Sequence, residues 1–195
     1  MKVIGLTGGI AVGKSEVAKI FRKHNFPVFD ADAAVHEIYQ NGMGAKYLHP
    51  IFPSATINGS VDRKKLSEII AADPSTLKDI EAIIHPLVRQ AEVEFLSRAQ
   101  ASGAAFAIID SPLLIETNHN KDMDAIILVD ASIEEQTKRA MLRPNMTKEK
   151  LALIMSKQMS SKDKRKHSTF IIENNGSLKD LEALTKAIIS KLRDI

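Results

Sequence analysis

The chain has 195 residues, no cysteine and a formal net charge of +3, with 44% of its residues hydrophobic. This length gives one domain with room for an inserted subdomain and enough apolar content for a real core; the lack of cysteine excludes a disulfide framework and a thiolate metal site. The charge suits an anionic substrate but is too weak by itself to argue for nucleic acid.

The first element lies in "VIGLTGGIAVGKSEVAKIF", residues 3–21. Val3, Ile4 and Leu6 read as a short buried strand, and Val17, Ile20 and Phe21 fall on one helical face. Between them stands Gly8-x-x-x-x-Gly13-Lys14-Ser15, the spacing of a phosphate-binding loop. Glycines let the backbone turn so that several N–H groups face one place. The helix that follows adds its unpaired N–H groups and the positive end of its dipole. Lys14 can reach the β- and γ-phosphates of a nucleoside triphosphate, and the Ser15 hydroxyl can ligate Mg²⁺. The apolar start is broken by these glycines, so no signal peptide is expected. No later run approaches a membrane span, and a cytoplasmic location without a membrane partner is expected.

Val28 and Phe29 lead into Asp30 as a second short strand, and "FDADAAVHE" sets Asp30 and Asp32 at its end. An acid there accepts a proton from an attacking hydroxyl or helps hold Mg²⁺; alternatively Asp32 caps a helix beginning near Ala33. A mainly helical region covers about 33–101, with a turn-rich break at 49–62. Within it, His85-Pro86 reads as a break in the helix, with Pro86 at a first helical position and His85 packing or capping. Further strands are expected in 104–110, 124–130 and 168–176, and helices at about 132–143, 147–159 and 178–193. The chain contains no repeat and no low-complexity segment.

Buried β-rich runs separated by helices indicate a parallel sheet covered on both faces. Its ligand should lie beyond the carboxyl ends of the strands, where the phosphate loop, Asp30, Asp32, Asp110 and Asp130 would gather. Asp110 is either a Mg²⁺ ligand or the end of a strand running into a turn at Pro112. Arg139 and Arg143 are four residues apart and so share a helical face, which Pro144 terminates. They suit a lid closing over transferring phosphates, or simply a solvated basic face. "SSKDKRKHS", 160–168, reads as a solvated basic loop.

These pieces resemble the dephospho-CoA kinase family. The likeness runs through "GLTGGI" with "GKS", "DAD" at 30–32, "GSVDRKKL" at 59–66, "HPLV" at 85–88, "SPLLIE" at 111–116, "LVD" at 128–130, "KRAMLR" and "IIENNGS" at 171–177. The resemblance implies an α/β, three-layer P-loop NTPase fold with a five-stranded parallel sheet. It implies a nucleotide-binding core over 1–32 and 102–195 with a lid near 139–165. A helical acceptor-binding subdomain over 33–101 belongs to the same continuous globular unit. It also implies transfer of the γ-phosphoryl of ATP, with Mg²⁺, to the ribose 3′-hydroxyl of dephospho-CoA, in a monomer or small homo-oligomer with no nucleic-acid partner.

By position, the resemblance gives Asp32 the role of base, with Lys14, Arg139 and Arg143 as the other catalytic residues. Gly8, Gly9, Ala11, Val12, Gly13, Lys14, Ser15 and Glu16 would bind nucleotide, and Ser15 and Asp110 the metal. Arg63, His85, Gln90 and Leu113 join Asp32 as candidates for the acceptor pocket.

Two departures stand out. Ala11 and Val12 replace a glycine and a small polar residue of the usual family loop; if position 11 needs a positive φ, alanine carries strain there. Ser168 and Thr169 stand where the family often has an aspartate.

Three other readings compete. A kinase for another small acceptor would not explain the "HP" and "PLLIE" spacing. A GTPase switch needs a guanine reader, and the nearest, "NKDM" at 120–123, has Met123 in place of the acid. A nucleic-acid-dependent ATPase needs stacking platforms, and aromatic residues make up only 5% of the chain.

Overall fold

The computed structural model describes residues 1–193. The chain divides into two compact units, one of residues 1–29 and 99 onward, the other of residues 30–98. The strands in chain order are β1 (Lys2–Gly8), β2 (Val28–Asp30), β3 (Thr56–Ile57), β4 (Ser60–Val61), β5 (Phe106–Asp110), β6 (Ala125–Asp130) and β7 (Phe170–Glu173). The helices are α1 (Lys14–Lys23), α2 (Ala31–Gln40), α3 (Met43–Leu48), α4 (Arg63–Ala72), α5 (Thr76–Ala101), α6 (Ile133–Met141), α7 (Lys148–Ser156), α8 (Ser161–Lys166) and α9 (Leu178–Leu192).

Five strands form the expected parallel sheet, in the order β2-β5-β1-β6-β7. The register sets Leu6 beside Asp110 on one side and Ile127 on the other, and Asp130 beside Glu173. Every residue of β6 is buried. A strand buried along its whole length, rather than alternating, belongs to a sheet covered on both faces. Val17 and Phe21 of α1 and Leu181, Ile188 and Leu192 of α9 share one core with Leu6, Ile108, Ile127 and Ile172. The central strands end at Gly8, Asp110 and Asp130, which brings the loop and both acids to one edge of the sheet.

The second unit packs α2, α3, α4 and α5 around Ile38, Leu48, Phe52, Leu66, Ile80 and Ile84. The turn-rich stretch at 49–62 holds a 3₁₀ turn and the small antiparallel hairpin of β3 and β4. Asn58 and Gly59 make its two-residue turn with φ of 50° and 78°. Two positive φ angles are what an Asn-Gly hairpin turn supplies.

Four expectations change. Helix α5 is not broken at His85-Pro86; it runs through Pro86 for 26 residues. Pro86 loses one backbone hydrogen bond. Ala82, whose carbonyl is freed, and Pro86 are both exposed, so water can take that bond, while Ile80 and Ile84 hold the helix into the core. Residues 160–168 are no solvated loop, because α8 lies within them and Lys164 is 1% exposed. Helix α6 ends at Met141, so Arg143 lies in the turn beyond it and does not share a regular helical face with Arg139. Finally, α2 starts at Ala31 with Asp30 as its N-cap, so Asp32 is not the cap. Among the described residues no helix is long and apolar enough to cross a membrane.

Leu6 sits fully buried in the middle of the sheet. Leu6→Ala should lower unfolding free energy by about 2–5 kcal/mol, measured by urea denaturation. A loss below about 1 kcal/mol would place this strand outside the cooperative core.

Candidate active site

The loop from β1 to α1 is shaped by close approaches. A Cβ on Gly8 would lie 2.6 Å from the Val129 carbonyl oxygen, and one on Gly13 would lie 2.3 Å from Asn174 Nδ2. Gly13 also has φ of 96°. The Asn174 amide donates to the Val12 carbonyl at 2.8 Å, and its backbone N–H donates to the Asp130 carbonyl at 2.7 Å. Asn174, just past β7, thus ties the loop to the end of β6.

Ala11 adopts φ of 59°, the left-handed conformation that costs a residue bearing a Cβ about 1–2 kcal/mol. The condition for strain at this departure from the family loop is therefore met. The surroundings hold it there. Ala11 and Ile10 pack with Ala140 of α6 and Leu151 of α7, and the Ile10 N–H donates to Gln158 Oε1 at 3.0 Å. Gln158 follows α7, so the segment beyond α6 grips the phosphate loop. Val12 is 1% exposed and packs in the main core.

The amides of Ala11, Val12, Gly13, Lys14 and Ser15 make no hydrogen bond among the described residues. They form a run of free donors leading into the N-terminus of α1, the arrangement that binds phosphate. Lys14 opens α1 and its ammonium pairs with Asp110 Oδ1, at the end of β5. Ser15 is exposed in the first turn, and Glu16 pairs with Lys19 Nζ at 2.8 Å along the helix. Gly9, between the strand and the strained backbone, is half-buried.

Arg139 Nη2 contacts Glu135 Oε2 at 3.2 Å, while its buried Nη1 has no partner among the described residues. Arg143 is exposed in the turn after α6. Leu113 is 40% exposed in the segment after β5.

In the second unit Asp30 Oδ1 accepts the Ala33 N–H at 3.0 Å. Asp32 is exposed in the same first turn of α2. Arg63, the first residue of α4, has Nη1 3.4 Å from His36 Nδ1. Burial pushes the Tyr39 hydroxyl pKa up, with the charge of Arg63 pulling it back down. His85 and Gln90 are exposed on α5, and Gln90 donates to Glu94 Oε1 at 3.1 Å.

Several contacts of this region could not be read from the sequence, although Asp130 was expected at this end of the sheet. Asp130 accepts from the Ala131 N–H, the Ser161 hydroxyl and Arg165 Nε and Nη2. The hydrogen bonds from Arg165 to Asp130 and then to Glu173 raise the guanidinium pKa further. Lys164 and Glu116 form a buried pair, and nothing in the basic run "KDKRK" distinguishes the buried lysine from its solvated neighbours. Asn174 stands in the quoted "IIENNGS", though its bond to the loop needed the fold. Thr169 Oγ1 accepts the Ile126 N–H at 3.1 Å, and the Ser168 hydroxyl donates to the Lys164 carbonyl at 2.8 Å. These are the contacts now made where the family often has an acid.

A donor-lined loop opening a helix, a lysine paired to the acid of the neighbouring strand, and this strand order define a P-loop kinase. Comparison with known proteins gives the particular family. The family model described as dephospho-CoA kinase matches residues 2–180. The chain is 43% identical over 193 residues to the dephospho-CoA kinase of Mesorhizobium japonicum, covering 99% of this chain and 98% of that protein. Among solved structures, a Thermus thermophilus protein superposes with a TM-score of 0.85 at 36% identity, over 98% of this chain and 97% of that one. The dephospho-CoA kinase of Campylobacter jejuni does so with a TM-score of 0.74 at 26% identity, over 97% and 96%. The chain belongs to the dephospho-CoA kinase family, and it is a transferase.

Relief of the backbone at position 11 is directly measurable. Ala11→Gly removes the left-handed strain, about 1–2 kcal/mol, and loses one buried methyl, about 0.8 kcal/mol. The variant should melt at or slightly above the wild-type temperature and bind ATP at least as tightly by calorimetry. A lower melting point with weaker binding would mean that packing against Ala140 and Leu151 outweighs the strain.

Proposed function

We propose that this chain carries out the reaction of its family, ATP-dependent phosphorylation of dephospho-CoA on the ribose 3′-hydroxyl, with its residues in the following roles. The observation that carries the assignment is the run of uncommitted amides from Ala11 to Ser15 at the start of α1, next to Lys14. Such donors, with the helix dipole behind them, favour the phosphates of ATP. Lys14 then exchanges its contact with Asp110 for the β- and γ-oxygens. Arg139 brings a buried N–H that is already desolvated and lacks an acceptor among the described residues, so a phosphate oxygen is a fitting partner. Arg143 supplies a second, exposed cation in the turn just beyond.

The Ser15 hydroxyl and the Asp110 carboxylate are hard oxygen donors of the kind Mg²⁺ takes alongside substrate phosphates. When bound, that ion neutralises charge on the β- and γ-oxygens.

Asp32 is the base in this scheme. Because Asp30 already caps α2, the carboxylate of Asp32 is not committed to the helix end. It can orient the 3′-hydroxyl and take its proton late in the transfer. The transition state of phosphoryl transfer is loose, so orientation carries much of the effect. Arg63, His85, Gln90 and Leu113 offer exposed side chains for the acceptor. Arg63 in particular provides a cation for its anionic groups.

Two variants test the roles against CoA formation from ATP, Mg²⁺ and dephospho-CoA, followed by mass spectrometry. Lys14→Ala should abolish turnover with the fold retained by circular dichroism; wild-type turnover would remove Lys14 from the site. Asp32→Asn should melt like the wild type, bind both substrates nearly as well, and lose roughly 10²–10⁴ in kcat. Native rate in that variant would return the proton to Asp30 or to water.

A further inference from the structure

The segment after α7 contacts the end of the sheet at several points. The Met159 N–H donates to Glu116 Oε1 at 2.8 Å. Lys164 Nζ lies 3.0 Å from the same oxygen and donates to the Pro112 carbonyl at 2.8 Å. That carbonyl also receives the Thr7 hydroxyl at 3.3 Å, and the Ser111 N–H donates to the Leu6 carbonyl at 3.0 Å. Thr7 directly precedes the phosphate loop, and Pro112 stands two residues past Asp110. Lys164 and the two oxygens it meets therefore link three separate stretches: the Pro112 carbonyl receives Thr7 from the strand before the loop, and Glu116, in the segment after Asp110, receives Met159 from the connection between α7 and α8.

The arrangement is expensive to bury. The Lys164 side chain is 1% exposed and that of Glu116 is 17% exposed. Glu116 Oε2 is buried without a partner among the described residues. An apolar pair of the same volume would be as stable or more so. What an apolar pair cannot do is fix the Pro112 carbonyl in two directions and hold the Met159 amide at a set distance.

We infer that Lys164 and Glu116 are positioning residues for phosphoryl transfer. Together they hold the turn that follows Asp110 against the entrance to the phosphate loop, and they lock the α7–α8 connection to that turn. Lys14 and Asp110 pair at the same end of the sheet. A small shift of the turn moves the carboxylate relative to the loop amides. Misplacement by about 1 Å costs on the order of 10²-fold in rate. This inference rests on the kinase reading above.

The test separates positioning from mere stability. Lys164→Met leaves Glu116 buried without its cation and should lower the melting temperature. The double variant Lys164→Met with Glu116→Gln has no buried charge, and its melting temperature should return close to the wild type. Its kcat should nevertheless stay roughly 10- to 100-fold low, with KM for ATP within about threefold and binding of a non-hydrolysable ATP analogue unchanged. A double variant that regains wild-type kcat overturns the inference, as does one that fails to fold, since either makes the pair structural only. A wild-type protein that does not phosphorylate dephospho-CoA in the same assay refutes the kinase reading, whereas the ratio of variant to wild-type ATP turnover addresses the pair alone.

Discussion

The contact between the phosphate loop and Asn174 is the constraint on which the site depends. The Asn174 amide approaches the backbone so closely that only hydrogen fits on Gly13, and it takes the Val12 carbonyl as its acceptor. Turning that carbonyl toward Asn174 settles one side of the loop. The N–H groups from Ala11 to Ser15 are left without protein partners among the described residues, which is what a phosphate site requires. The loop is held from the other side by Gln158, and Ala11 keeps a left-handed backbone despite its methyl. Packing from α6 and α7 compensates for the strain. The loop of this protein is thus shaped by its neighbours as much as by its own glycines.

Two aspartates show how position on the sheet becomes chemistry. Asp110 and Asp130 end β5 and β6, the strands flanking β1, and both are buried. Neither can stay charged there without partners. Asp110 meets the ammonium of Lys14, at the start of α1 beside the phosphate loop. Asp130 is instead held by Ser161, Arg165 and its own neighbouring amide. Its capacity is consumed by fixing α8 to the sheet. The same residue type at equivalent strand ends is a candidate ligand in one case and a clamp in the other.

A comparable division separates Asp30 from Asp32. Either side chain suits a helix N-terminus. The helix begins one residue after Asp30, so capping falls to Asp30, and Asp32, exposed in the first turn, makes no side-chain hydrogen bond among the described residues. The distinction rests on a single residue of register.

Much was legible in the chain itself. The five sheet strands were visible because continuous apolar runs ending in glycine or acid have few alternative uses. The phosphate loop was visible because its spacing is dictated by the size of a phosphate. Resemblance across "DAD", "HPLV" and "SPLLIE" carried the family. The tertiary structure decided what local pattern could not. Pro86 stays inside α5 because packing on Ile80 and Ile84 outweighs one lost hydrogen bond, an energy that no window around the proline contains. Lys164 is buried because Glu116 and the Pro112 carbonyl meet it from 48 and 52 residues away in sequence. Lys162, Arg165 and Lys166 beside it carry the same charge, so only the fold could select it. Sequence specified which groups were available. Long-range contacts determined which became buried, which were paired, and which remained free to act.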